Sequence, residues 1–417
     1  MELEDRLSRA VHEALARVET GPGDRPAAEA AGRGLRRRRR MASGACALAV
    51  VIGGVGLVAV VDTHRPGDRL PTASSSGWRA AAPSPLSPRY DPLMAWTGSE
   101  VLVVGGHTDV PCPPAADCVR PPATAVARDA AAYDPESDEW RPIADPPGRF
   151  DEFIGSVVVD GDLVVADGRE WSRFDADADA WTRLPDAPEP GLRSLTTADG
   201  LVYALGADRV RVLDLEQGVW SDLPPDPLTP RLSEGSLFAT DAGLLLTGVD
   251  YDGVAPDEPV LQQVDVWDGE RWRRLPTTGQ LYDFTHWTGR HLVSIDPGSA
   301  DGGEVDGWDR AYPNGGSLDP TTGQWSPIPG LPTDYLPPSD RPWLVEAADG
   351  PLVAGAGRVY DDSTGQWREL GRPDSPLDSE LTAVWADGEL VSFGGFDSDA
   401  GYDDTSGLAA QTWIWSP

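Results

Sequence analysis

The chain contains no lysine. All 34 basic side chains are arginine, against 68 aspartates and glutamates, for a formal net charge of -34 over 417 residues. That balance excludes a nucleic-acid binder, because phosphate recognition needs a basic face. Cysteine is nearly absent, at three residues, so a disulfide-dense scaffold and a multi-cysteine zinc or iron–sulfur centre are both excluded. Five histidines leave little for metal or acid–base chemistry. Trp, Gly and Pro are abundant instead, at 16, 46 and 40 copies, in a chain 40% hydrophobic and 24% charged. Such a composition is globular. The length suits two domains or one large repeat architecture.

Residues 41–61, MASGACALAVVIGGVGLVAVV, carry no charge. Twenty-one residues of helix span about 30 Å, one bilayer core. Arg36 to Arg40 stand directly before this run. The positive-inside rule then predicts a single-pass anchor with residues 1–40 cytoplasmic and the rest outside the cell. A cleaved signal peptide fits less well, because forty residues precede the run and no A-x-A site follows closely. Residues 1–40 sum to +3 and residues 62–417 to -37, so the acidity is all on the outer side. Leu3, Leu7, Val11, Leu15 and Val18 give residues 2–19 the spacing of a short amphipathic helix. Its five acids against three arginines would be repelled by anionic lipid, so the expected companion is a cytoplasmic protein.

Residues 62–76 are polar and rich in Ser, Pro and Gly, and read as a linker. Beyond them one unit recurs: a short apolar strand, a turn, a second strand often ending in Gly, a third strand, an acidic turn and Trp. The second strands are VLVVGG (101–106), LVVADG (163–168), LVYALG (201–206), LLLTG (244–248), HLVSI (291–295), LVAGAG (352–357) and LVSFGG (390–395). The turns end at Trp140, Trp181, Trp220, Trp272, Trp325 and Trp367, spaced by 41, 39, 52, 53 and 42 residues. Four strands per period of this length signal a propeller. Seven second strands face only six such Trps, and the chain stops at QTWIWSP. Trp78, in SGWRAAAPSP, has nothing before it and supplies the missing outer strand. The expected fold is all-β: a seven-bladed propeller over residues 77–417, closed by pairing Trp78 with the strand around 412–415, behind one transmembrane helix and a short cytoplasmic segment.

AWTGSEVLVVGG (95–106) and AVWADGELVSFGG (383–395) match almost throughout, and YDPESDEW (133–140) matches YDDSTGQW (360–367). These units resemble the kelch repeat, in a membrane-anchored bacterial setting that the arginine-only, Ala- and Gly-rich composition fits. Blades two to six depart from it: the glycine pair has become Asp167-Gly168, or is lost at Ser294-Ile295. Kelch-like propellers include copper radical oxidases. Their site needs two His, two Tyr and a Cys cross-linked to one Tyr. Here His286 and His291 flank one turn while His107 belongs to the other face, and the only Cys outside the apolar run are Cys112 and Cys118. That enzyme is not expected, and no nucleophile elbow is present. Glycoside hydrolysis by paired carboxylates stays open, with no pair marked.

In a four-stranded antiparallel blade the second-to-third loops and the blade-joining loops share one face. The long insertions, 107–128, 250–260, 296–315 and 396–408, are all second-to-third loops. Long loops on a rigid scaffold are where binding concentrates. The expected function is recognition of an extracellular protein or glycan by this face, with Tyr251, Asp252, Trp308, Tyr312, Phe396, Asp397, Asp399 and Tyr402 as candidate ligand residues. A carbohydrate-active enzyme and a transmembrane sensor are the alternatives. Arg89, Arg149, Arg193, Arg231 and Arg341 each precede a first strand, where five guanidiniums could converge on an anion. Pairing with acids such as Asp91, Asp151 or Glu234 is the plainer expectation. Cys112 and Cys118, in CPPAADC, are expected to form a disulfide outside the cell. FDSDAGYDD (396–404) is similar to a calcium loop, but Gly401 stands where the third acid belongs and Tyr402 where the glycine belongs. Solvated acids are the preferred reading, no cofactor is expected, and Ca²⁺ is the alternative.

Overall fold

The structure is a computed structural model. It describes residues 77–113, 125–151, 155–226, 234–250, 260–276, 286–295, 315–330, 347–355, 357–379 and 381–417. The anchor, the amphipathic segment and the linker lie outside these residues. Among the described residues no helix is long and apolar enough to cross a membrane. The helical elements among the described residues are two short 3₁₀ turns, Ser398–Ala400 and Thr405–Gly407.

Everything else regular is antiparallel sheet, arranged as seven four-stranded sheets. Blade 1 comprises Leu93–Trp96, Val101–Val104, Ala130–Asp134 and Glu139–Pro142. Blades 2 to 6 follow at 155–183, 193–222, 234–274, 286–326 and 347–369. Blade 7 is composite. Thr382–Ala386, Glu389–Phe393 and Thr412–Trp415 supply its first three strands, and Trp78–Ala80 is the fourth. Trp78 lies opposite Trp415, Arg79 opposite Ile414 and Ala80 opposite Trp413.

Strand alternation decides the core. Each blade buries both faces against its neighbours, so the second strands are apolar throughout instead of alternating with polar residues. Val101–Val104 and Leu201–Leu205 are buried at every position. Blades 1 and 2 pack through Leu102, Val104, Phe150, Leu163 and Phe174. Blades 7 and 1 pack through Phe393, Ile414, Val103 and Tyr133. Blades 6 and 7 share a cluster rich in indole, containing Trp78, Trp385, Trp413 and Trp415.

The recurring Trp sits on the outer strand and reaches the preceding blade. Its indole N–H donates to a backbone carbonyl just past that blade's own outer strand. Trp140 donates to Ala82 (3.1 Å), Trp181 to Ala144 (2.9 Å) and Trp220 to Pro185 (3.2 Å). Trp272 donates to Pro224, Trp367 to Pro329 and Trp78 to Leu370, each at 2.8 Å. A bulky apolar ring that brings its own N–H fills the gap between blades and pairs the carbonyl together, which matters most at Trp78, where the bond is buried. This explains why the Trp, more than any other residue, marks the repeat.

The Asp that opens each acidic turn caps it. Asp134, Asp214 and Asp319 accept backbone N–H bonds from residues two or three further on. Such Asx turns are what short polar side chains offer at a tight corner. Two residues before the Trp the backbone enters the left-handed region. Blades 1 and 2 place Asp138 and Asp179 there (φ 55 and 51), and blades 3, 5 and 6 place glycine. The two aspartates also join blades. Asp138 accepts from the Ala82 N–H and Asp179 from the Ala144 N–H, each at 2.9 Å.

Candidate functional site

The two faces differ in the length of their connections. First-to-second and third-to-fourth turns share one face, and none exceeds four residues. Asp160-Gly161, Asp199-Gly200 and Asp387-Gly388 are two-residue turns with both φ angles positive, the type I′ geometry that matches strand twist. On the other face the second-to-third connections of blades 1, 4, 5 and 7 run from 105 to 129, 250 to 262, 295 to 315 and 394 to 411. Those of blades 2, 3 and 6 are short.

Arg89 anchors this face between blades 7 and 1, and it corrects the anion-binding expectation for that residue. Its side chain is fully buried. The guanidinium donates to the Gly105 carbonyl (2.8 Å) and to both oxygens of Asp129 (2.8 and 3.1 Å). It also donates to the Ser87 carbonyl and hydroxyl, each at 2.9 Å. No donor is left to meet a ligand. Burial alone would raise the Asp129 carboxyl, but the Arg89 hydrogen bond and charge outweigh it and hold the group below its ordinary range. One nitrogen of the Arg149 guanidinium donates to the Val126 carbonyl. Arg193 is half-buried and opens the inner strand of blade 3 at a bulge, where Ser194 has φ 47. Arg231 and Arg341 lie outside the described residues.

The paired glycines take their meaning from the same junctions. Gly395 N–H donates to the Arg89 carbonyl (3.0 Å) and Gly106 N–H to the Phe150 carbonyl (2.8 Å). A Cβ on Gly394 would stand 2.4 Å from the Arg89 oxygen, and one on Gly105 1.9 Å from the Phe150 oxygen. The chain entering the next blade therefore lies directly on the glycine backbone.

Immediately after Gly105-Gly106 comes His107, which the sequence raises as a candidate metal ligand. Its ring is 9% exposed and stacks on Tyr90 at 5.0 Å. Nε2 lies 3.3 Å from Asp151, and Nδ1 lies 3.8 Å from Asp109. Tyr90 donates its hydroxyl to Asp109 (3.4 Å). Asp167, on the short loop of blade 2, is pushed up by burial and then by the charges of Glu170 and Asp151. Asp109 and Asp151, from two connections, thus flank one imidazole at the blade 1–2 junction. The signal for this lay in the sequence: GGH at 105–107 is the counterpart of GGF at 394–396.

In the 396–408 loop, Phe396 is fully buried, so its ring packs and cannot be a ligand contact. It supports Tyr402, with ring centroids 5.1 Å apart. Asp397 accepts from the Asp399 N–H (3.0 Å) and Asp404 from the Ser406 N–H (2.9 Å). Those carboxylates cap their own turns, which lowers Asp404. Asp399 is exposed and Tyr402 half-buried, so these two keep surface to offer. Tyr251, Asp252, Trp308 and Tyr312 lie outside the described residues. Cys112 is disulfide-bonded, and Cys118 lies outside the described residues. Among the described residues no three His, Cys, Asp or Glu side chains are grouped to hold a metal ion.

On the tight-turn face, Asp362 of blade 6 accepts from the Thr288 hydroxyl (2.6 Å) and sits 3.0 Å from His291 Nδ1, both in blade 5. Thr288 and Asp362 are buried, so this cluster fastens two blades. Burial keeps His286, in the inner strand of blade 5, less basic than usual.

Comparison with protein-family models and with curated proteins finds no match. The fold defines the class: a seven-bladed β-propeller.

Proposed function

We propose that the propeller is an extracellular binding module of the kelch-like type, which recognises a protein or glycan through its long-loop face. Residues 41–61 anchor it in the membrane, with residues 1–40 on the cytoplasmic side and a protein partner on the helix at 2–19. A Cys112–Cys118 disulfide stiffens the first loop. The observation that carries this reading is the asymmetry of the faces: four long connections on one, and none above four residues on the other. Neutral tolerance of insertions would spread them over both. Exposed Asp399 and half-buried Tyr402 are the described residues best placed to touch a ligand.

The test uses the full chain against a glycan array and against cell-surface proteins. Replacing Asp399 with Asn, Tyr402 with Ala and Tyr251 with Ala together should abolish capture while the melting temperature holds. Capture that survives these changes but is lost on altering the tight-turn face would overturn the reading. Turnover of oligosaccharides by the purified chain would replace it with a hydrolase.

A further inference from the structure

The strand that closes the ring is the one outer strand with no turn to hold it. In blades 1 to 6 a connection of at most four residues ties the fourth strand to the third. An outer strand that peels there stays beside its partner and re-forms readily, because the loop it closes is short. Trp78–Ala80 has no such connection to Thr412–Trp415. Once detached it gains a freedom that no other outer strand gains, so the same lost contacts cost less free energy.

Its attachments fall into two groups. The first holds Trp78 to Ala81. Three residue pairs form the ladder, and the Ala81 N–H extends it by donating to the Thr412 carbonyl (3.0 Å). The Trp78 indole N–H donates to the Leu370 carbonyl (2.8 Å) inside the indole cluster. Arg79 pairs with Glu389 (3.2 Å) and donates to the Tyr133 hydroxyl. That ion pair is partly exposed on both sides and holds weakly. Trp78 lies opposite Trp415 and Ala80 opposite Trp413, so the chain before the strand leaves at the Trp78 end. A displacement of that chain opens the pairs one at a time, Trp78 first, instead of shearing all three together.

The second group begins at Ala82. Asp138 of blade 1 accepts the Ala82 N–H (2.9 Å), and the Trp140 indole donates to the Ala82 carbonyl (3.1 Å). Leu86 is buried in the core between blades 7 and 1. Arg89 follows. Its N–H donates to the Ala409 carbonyl (2.9 Å), its carbonyl accepts from the Gly395 N–H (3.0 Å), and its side chain is fully buried. These contacts are made without residues 77–81.

We propose that Trp78–Ala81 is a releasable strap with a stop at Ala82. Peeling detaches the outer rim of blade 7 and goes no further, because the residues that follow are fixed to blade 1 and to the blade 7–1 junction. The long-loop face, which Arg89 seats at that junction, keeps its shape while the strap is off. The strap thus isolates this face from strain arriving along the chain before Gly77, and burial of Trp78 sets the load at which it lets go. The proposal goes beyond the recognition reading and does not depend on it.

Native-state hydrogen exchange on the full chain, read by NMR from zero to low urea, tests both halves. The strap reporters are the Ala81 amide and the Trp78 indole N–H. The Arg89 amide reports the junction, and the Val212 amide, in the third strand of blade 3, reports global unfolding. After correction for intrinsic rates, the strap reporters should exchange about a hundredfold faster than Arg89 and Val212, with little dependence on urea. Leu213→Ala, in the core between blades 2 and 3, should speed Val212 about a hundredfold and leave the strap reporters unchanged, since blade 3 is intact in the peeled state. Strap reporters that exchange as slowly as Val212, or that follow it in Leu213→Ala, overturn the proposal, because the strand then opens only with the whole propeller. Should Leu213→Ala not fold, the urea dependence of the wild type decides alone: equal slopes at Ala81 and Val212 overturn the strap. Arg89 exchanging together with Ala81 removes the stop and overturns it as well. No ligand enters this experiment, so the strap and loop-face recognition stand or fall separately.

Discussion

Replacing Gly105 with alanine separates two explanations of the paired glycines. A glycine can be required for its backbone angle or for the space above it. Gly105 has φ 65, and an added Cβ would stand 1.9 Å from the Phe150 oxygen. Gly168, which aligns with Gly106 in blade 2, has φ 60 and nothing within 4 Å of its Cβ. Both alanines incur the left-handed backbone cost of about 1 kcal/mol. Only Gly105→Ala must also push back the Phe150 carbonyl. That breaks the Gly106 N–H bond, worth about 1 kcal/mol, and disturbs Phe150 in the blade 1–2 core, at about 1–3 kcal/mol. We expect about 3–5 kcal/mol lost for Gly105→Ala and about 1 kcal/mol for Gly168→Ala. Urea unfolding followed by tryptophan fluorescence reads the difference as a shift in midpoint at constant slope. Equal losses would refute the reasoning, because the glycine would then serve backbone conformation alone.

Three further expectations follow from the same junctions. Asp129→Ala strands the buried Arg89 guanidinium on Ser87 and Gly105, and should cost about 2 kcal/mol in urea unfolding, below a fully buried pair because Asp129 is half exposed. Trp78→Phe removes the indole bond to the Leu370 carbonyl inside a buried cluster and should cost about 2 kcal/mol by calorimetry, more than Trp181→Phe at a half-buried site. The Thr321 hydroxyl and the backbone N–H groups of Thr321 and Thr322 hold Asp319 down at about 2 against slight burial. A depressed carboxyl stabilises the fold above its unfolded value of 3.8, and that contribution is lost as pH falls towards 2. Asp319→Asn, which keeps the turn but cannot ionise, should flatten that part of the acid-unfolding curve.

The blade count and the division of the two faces were legible because both rest on local chemistry. Apolar second strands, Asx-capped turns and the Trp that follows them repeat at a readable period, and Trp78 stood out as an indole with no blade before it. What stayed hidden was every pairing between blades. Arg89 was expected near Asp91 or Asp151, whereas its partner Asp129 lies forty residues on, brought back by the end of a long loop. Phe396 looked like a loop aromatic because hydropathy cannot tell that the chain folds over it. His107 was weighed as a metal ligand because a lone histidine has no periodicity, although aligning it with Phe396 would have shown a core position. Asp138 and Asp179, in the acidic turns, each accept a backbone N–H from the neighbouring blade.

The distribution of buried tryptophan also has a physical reason. In blades 1 to 6 the outer strand is tied to the third strand by a turn of at most four residues, so pairing it costs little chain entropy. In blade 7 the outer strand Trp78–Ala80 and its partner Thr412–Trp415 are more than three hundred residues apart, and only three residue pairs join them. A ladder that short contributes a few kcal/mol at best. Burying one indole removes 150–250 Å² from water, about 4–6 kcal/mol as an upper estimate. Trp78 is 1% exposed and packs with Trp385, Trp413 and Trp415. Arg89 then joins the same chain segment to the glycine-backed strands of blades 7 and 1, through its backbone and its side chain respectively. The blade with the least covalent help thus carries the densest indole packing and lies next to the fully buried Arg89. Side-chain burial offsets the entropy that a turn spares the other six.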